Sequence, residues 1–180
     1  MALGLERVLF IPNRVPPHRG AAENLADEEH RCAMVELAVA SNPQFFLSRI
    51  ELAREGPSYS VDTVEALQSG APRAELYFIA GADALMKYVW KDLDRLLGML
   101  ASMVVVTRPG FDLEQLRARL DGLRLANRDR VRLMEIAGYA LSSTTIRERA
   151  AQGASLRYMV PREVEDYMAK FGLYKIGDSK

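Results

Sequence analysis

Five short segments of this chain gather side chains able to hold anions, sugar hydroxyls or a flat ring. In Ile11-Pro12-Asn13-Arg14-Val15-Pro16-Pro17-His18-Arg19, prolines stiffen a stretch that presents an amide, an imidazole and two guanidinium groups. In Glu55-Gly56-Pro57-Ser58-Tyr59-Ser60, a hydroxyl residue opens a helix. The N–H groups at such a start have no intrahelical acceptor and suit a carboxylate or phosphate. Ile79-Ala80-Gly81-Ala82-Asp83 sets a glycine, which lets a ligand approach the backbone, beside an acid that can accept from ribose hydroxyls. Lys87-Tyr88-Val89-Trp90 follows, with the only tryptophan, whose indole can stack on an aromatic ring. Thr107-Arg108-Pro109-Gly110-Phe111 holds a cation on a tight turn. Leu141-Ser142-Ser143-Thr144-Thr145-Ile146-Arg147 opens a helix with hydroxyls and places Arg147 one turn in, close enough to share an anion bound at the helix start. Each segment alone also has a plain structural reading: a rigid turn, an N-cap, or a packed Trp.

Chemistry of this kind needs a frame, and the apolar pattern supplies one. Strands are expected at 7–11, 44–52, 75–80, 103–107 and 130–136, where short apolar runs end at Pro, Gly or polar residues. Helices are expected at 27–40, with Met34, Leu37 and Ala38 on one stripe, and at 60–68. Others should begin after a capping Asp112, run from 144 to 152 ahead of Gly153, and start at Pro161 and run through 163–170. His30 is read as a helix cap and Cys32 as core. Strand alternating with helix implies an α/β fold, a doubly wound Rossmann-like parallel sheet with helices on both faces. Ligands of such sheets bind beyond the carboxyl ends of the strands, where the unusual residues lie.

Composition narrows the classes. The 180 residues fit a single domain, read as 1–174 with a tail at 175–180. With 24 Lys+Arg against 24 Asp+Glu, the chain is not held on nucleic acid by bulk attraction to phosphates. One cysteine permits no internal disulfide, which suits a reducing, cytoplasmic compartment, and two histidines with one cysteine argue against a structural zinc site; no metal ligands are assigned. The start has no signal-peptide pattern. The longest apolar stretch, 96–106, is broken by Gly98 and Ser102 and is too short to span a bilayer, so no membrane partner is expected.

Taken in order, the five segments resemble the bacterial nicotinate-nucleotide adenylyltransferases, members of the nucleotidyltransferase α/β-phosphodiesterase superfamily. The matching residues are Pro12-Asn13 with Pro16-Pro17-His18-Arg19, Gly56-Pro57-Ser58-Tyr59-Ser60, Gly81-Ala82-Asp83 with Trp90, Arg108-Pro109-Gly110-Phe111, and Ser142 to Arg149. The ending, with Val160-Pro161, Val164, Tyr167 and Phe171-Gly172-Leu173-Tyr174, matches too, so the resemblance runs from about Leu5 to Tyr174. It implies transfer of AMP from ATP, with Mg²⁺, to nicotinate mononucleotide, giving deamido-NAD and pyrophosphate. It further implies that the mononucleotide meets Asn13, Tyr59, Ser60, Trp90 and Lys91, with the carboxylate on backbone N–H groups around Ser60 and Lys91. Gly81 and Asp83 would hold the nucleotide sugar region. Arg108, Ser143, Thr144, Arg147, His18 and Arg19 would face ATP and its phosphates, with Arg147 and His18 closest to the chemistry. An adenylyltransferase for another phosphate acceptor, such as phosphopantetheine, is the nearest rival; a non-catalytic nucleotide-binding module is the other.

Three departures stand out. Gly81 and Trp90 are one residue closer than is usual in the family, and Ser60 stands where Thr is common. The strand, Gly-x-Phe-x-Pro-x-His-x-Gly-His motif and helix with which family members begin are absent from these residues. The expectation is therefore a sheet without its central first strand, left as two half-sheets, in a chain read as a shortened version of a longer one. Turnover is expected to be lower by orders of magnitude, since positioned donors are worth ~10²–10³ each.

Overall fold

The computed structural model describes residues 3–16, 25–138 and 141–175. Among them are five strands and seven α-helices in the order β1 (Val8–Phe10), α1 (Glu28–Val39), β2 (Phe45–Leu47), α2 (Ser60–Gly70), β3 (Tyr77–Gly81), α3 (Ala82–Lys87), α4 (Leu93–Met99), β4 (Ser102–Thr107), α5 (Leu113–Gly122), β5 (Val131–Glu135), α6 (Ser143–Ala151) and α7 (Arg162–Lys170). All strand pairing is parallel, as expected of an α/β chain. It forms two separate sheets, β1–β2 and β3–β4–β5. Pairing stops where the sequence reading leaves out a strand: β1 has only β2, and β3 only β4, among the described residues. Residue contacts likewise divide the chain into two compact units, Met1–Pro57 with Ala140–Lys180, and Ser58–Tyr139.

The second unit is built on β4. Met103, Val104 and Val105 are buried in an unbroken run, so both faces of the strand are covered, as its continuous apolar sequence requires. Val61 and Val64 of α2, Leu85 of α3, Leu96 and Leu97 of α4, and Leu116 and Leu120 of α5 pack into one cluster around it. Asp112 starts α5 by accepting a hydrogen bond from the Gln115 N–H at 2.9 Å, the cap its sequence predicts. Neither α3 nor α4 is among the expected helices. Both are short, and α4 begins at Asp92 in the left-handed region (φ 47°) with no side-chain cap, so no start signal marks it.

In the first unit α1 and α7 pack together, with Leu156, Val164 and Met168 buried and Met34 and Leu37 against them. Full burial of side chains of this size is worth about 1.5–3 kcal/mol each. Asp27, not His30, caps α1: its carboxylate accepts from the His30 N–H at 2.9 Å. The His30 ring instead meets Tyr167, with Nδ1 2.9 Å from the hydroxyl, and packs on Phe171. Cys32 is fully buried, as expected, and burial pushes its thiol up from the ordinary 9.0. The strand expected over 44–52 is limited to Phe45–Leu47, because 49–54 folds into turns in which Leu52 and Ala53 donate to the Arg49 carbonyl. Pro161 stands at the N-cap of α7, one position earlier than expected. Among the described residues no helix is long and apolar enough to cross a membrane.

Candidate active site

The second unit carries one group of the expected residues. Tyr59, extended at φ −84° and ψ 135°, is the N-cap of α2 and makes no side-chain cap. The first helical acceptor, the Tyr59 carbonyl, takes the Thr63 N–H at 3.2 Å. The N–H groups of Ser60, Val61 and Asp62 precede that bond and face away from the helix ladder. Across from this turn, Lys91 Nζ lies 4.5 Å from the Tyr59 ring centroid and 3.4 Å from the Asp62 carboxylate. The structure thus joins Tyr59, Ser60 and Lys91 around one helix start, with Asp62 as a member that sequence reasoning left unassigned. Its position two residues after Ser60, in the first turn, was the available signal.

Trp90 precedes Lys91 and is half-buried. Its indole N–H donates to the Ala84 carbonyl at 3.2 Å, and its ring meets Phe78 of β3 edge-on, with centroids 5.7 Å apart at 81°. A ring gripped along one edge and at its nitrogen has a set orientation, which a stacking platform needs. Gly81 ends β3 and is the N-cap of α3, with no heavy atom within 4 Å of where a Cβ would stand. Asp83 is exposed in the first turn of α3. Arg108 follows β4 and is exposed. Its stem lies 3.2 Å from the position of a Cβ on Gly138, so the loop after β5 passes close to it. Gly110, at φ +81°, closes the intervening turn, where Phe111 N–H donates to the Arg108 carbonyl at 3.1 Å.

The first unit carries the rest. Asn13 follows β1 with its side chain exposed, and its carbonyl accepts from the Arg31 guanidinium at 2.6 Å. Arg31 also reaches the Arg14 carbonyl at 3.3 Å and so clamps this turn to α1. At the start of α6 the hydroxyls divide their tasks. Ser142 caps the helix, accepting from the Thr145 N–H at 3.0 Å, and its hydroxyl lies 2.8 Å from that of Thr145. Ser143 and Thr144 are exposed, and Arg147 donates to the Thr144 hydroxyl at 3.3 Å. His18 and Arg19 lie outside the described residues. Among the described residues no three His, Cys, Asp or Glu side chains form a cluster able to hold a metal ion.

Parallel strands whose following loops carry cations, hydroxyl-rich helix starts and a glycine edge define a nucleotide-handling α/β protein of the nucleotidyltransferase class. Residues 1–149 match the cytidylyltransferase-like family. A probable nicotinate-nucleotide adenylyltransferase of Symbiobacterium thermophilum is 45% identical over 177 residues, covering 98% of this chain and 84% of that protein. One of Moorella thermoacetica is 42% identical, covering 95% and 79%. The fold is similar to that of Plasmodium falciparum nicotinic acid mononucleotide adenylyltransferase complexed with NaAD, at a TM-score of 0.71 and 16% identity over 94% of this chain and 83% of that one. The chain belongs to the nicotinate-nucleotide adenylyltransferases, within the cytidylyltransferase-like family.

Proposed function

We propose that this chain transfers AMP from ATP to nicotinate mononucleotide, giving deamido-NAD and pyrophosphate. A phosphate oxygen of the mononucleotide attacks the α-phosphorus of ATP, the bond to the bridging oxygen of the β-phosphate breaks, and pyrophosphate leaves. No covalent enzyme intermediate is required, so the protein acts by placement and by neutralising charge. Mg²⁺ enters with ATP, as part of that substrate.

The observation that carries this reading is the group around the start of α2. A flat ring bearing a carboxylate needs an aromatic platform and anion donors side by side, and Trp90, the Ser60 N–H and Lys91 are within one compact unit. Tyr59 sets the position of the Lys91 ammonium, and Asn13 would help hold the mononucleotide. Ser143, Thr144 and Arg147 offer hydroxyls, helix-start N–H groups and a guanidinium to phosphates, with Arg147 nearest the reacting phosphorus. Arg108, Gly81 and Asp83 would serve the ATP ribose and phosphates, and His18 and Arg19 the same anions. The reading places the enzyme in the cytoplasm, with two small-molecule substrates. Phosphopantetheine has no aromatic carboxylate and makes no use of this group. The test is a titration with nicotinate mononucleotide, its nicotinamide counterpart and phosphopantetheine. The acid form should bind at least tenfold more tightly than either; equal binding of all three would refute the assignment.

A further inference from the structure

Arg119 has no role in any of the segments described above, yet it touches the one that carries Trp90. It stands on α5 between Leu116 and Leu120, both fully buried, so its backbone is anchored to the core. Its side chain leaves the helix sideways. Nε donates to the Leu85 carbonyl at 2.6 Å and Nη2 to the Tyr88 carbonyl at 3.3 Å. Among the described residues no carboxylate pairs with this guanidinium. A half-buried cation here donates to two backbone carbonyls at the end of a six-residue helix, where such carbonyls have no intrahelical donor of their own.

The bonds around that helix end form a set. The Ala84 carbonyl accepts from the Tyr88 N–H at 3.2 Å and from the Trp90 indole at 3.2 Å. Leu85 and Tyr88, which lie between these contacts, are the two residues Arg119 holds. The path from the last turn of α3 to Trp90 is thus pinned at three carbonyls, those of Ala84, Leu85 and Tyr88, the last two by one side chain from another helix. Val89, the only residue between Tyr88 and Trp90, is 81% exposed and adds no packing of its own. Without Arg119, the segment Lys87–Trp90 would keep the Tyr88 N–H and indole bonds to the Ala84 carbonyl and the packing of Trp90 on Phe78 and the core, and would lose the bond that holds the Tyr88 carbonyl.

We infer that Arg119 is a positioning residue of the acceptor site: its guanidinium fixes Leu85 and Tyr88, and through them the orientation of Trp90 and the backbone of Lys91. The inference rests on the nicotinate reading given above. A planar fork is needed to reach two carbonyls 3 residues apart, which a lysine ammonium cannot do with the same geometry.

Because Trp90 is the only tryptophan, the protein reports on this site directly. The experiment uses the 180-residue chain with Arg119→Gln and Arg119→Lys. It measures tryptophan emission and acrylamide quenching, and titrates nicotinate mononucleotide and MgATP separately. In Arg119→Gln, emission should shift to the red and quenching should rise. The dissociation constant for nicotinate mononucleotide should increase ~10- to 100-fold, as small misplacements of binding groups do, while that for MgATP stays within about twofold. Arg119→Lys should fall between Arg119→Gln and the parent. Unchanged emission and quenching in folded variants would overturn the inference, as would equal losses for both ligands. Loss of the native circular dichroism by both variants would reduce Arg119 to a stability residue and overturn it as well. If emission moves while affinity for nicotinate mononucleotide does not, and Trp90→Phe also leaves that affinity unchanged, Trp90 is not the ring platform and the nicotinate reading itself fails.

Discussion

Ser60→Pro separates a backbone contact from everything else the residue does. Ser60 is the first helical residue of α2, a position where proline fits because its fixed φ near −65° suits the helix and its missing N–H had no intrahelical acceptor. The residue before a proline must be extended, and Tyr59 already is, at φ −84° and ψ 135°. The substitution should therefore leave stability within ~1 kcal/mol of the parent. What it removes is the N–H proposed to meet the nicotinate carboxylate. A hydrogen bond to a charged group is worth about 1.5–3 kcal/mol, so the affinity for nicotinate mononucleotide should fall ~10- to 150-fold. Ser60→Ala, which deletes the hydroxyl and keeps the N–H, should bind within about threefold of the parent. Calorimetric titration of both variants, with urea unfolding as the stability control, reads the difference. Equal affinities for Ser60→Pro and the parent, or equal losses in the two variants, would refute the reasoning.

Other expectations follow from the same geometry. Arg147→Ala should weaken MgATP binding by ~10- to 150-fold and leave nicotinate mononucleotide binding unchanged, since Arg147 stands over Thr144 at the exposed start of α6. Leu97→Ala, in the fully buried cluster against β4, should lower unfolding stability by about 2–5 kcal/mol in urea titrations. Burial holds the proton on Cys32 to higher pH than in the unfolded chain, so its contribution to stability is full below pH 9.0 and is lost as pH rises through the higher folded value. Cys32→Ala should remove that part of the decline, read as the urea midpoint between pH 8 and about 10.

The parts of the fold that were legible in the sequence share a physical cause. β4 is a continuous apolar run because both its faces are buried, α1 shows through its stripe of Met34, Leu37 and Ala38, α5 through its Asp112 cap, and α6 through its hydroxyl-rich start. α3 and α4 were not legible. One follows β3 with no intervening loop and the other starts from a left-handed Asp92, so neither has a start signal, and both draw stability from tertiary packing. Strand β2 was read too long because Leu52 and Ile50 continue an apolar pattern whose backbone is in fact turning.

Local order also decided how much of the site could be read. Ser142 to Arg147 and Tyr59-Ser60 are contiguous, so their chemistry is visible in the chain itself. The division of labour among the hydroxyls was not, since only the structure shows that Thr145 belongs to the cap and Thr144 to Arg147. Asp62 and Arg119 were missed for the same reason. Each is a charged residue on a polar helix face, indistinguishable in sequence from a solvated one, and gains its meaning from a partner about 30 residues away.

The central claim is that AMP is transferred to nicotinate mononucleotide. The most direct measurement supplies MgATP with equal concentrations of nicotinate mononucleotide and phosphopantetheine, incubates long enough to register slow turnover, and identifies the adenylylated product by mass spectrometry. The account predicts deamido-NAD with an equal amount of pyrophosphate. Formation of dephospho-coenzyme A instead, or no adenylylated product at all, would contradict it.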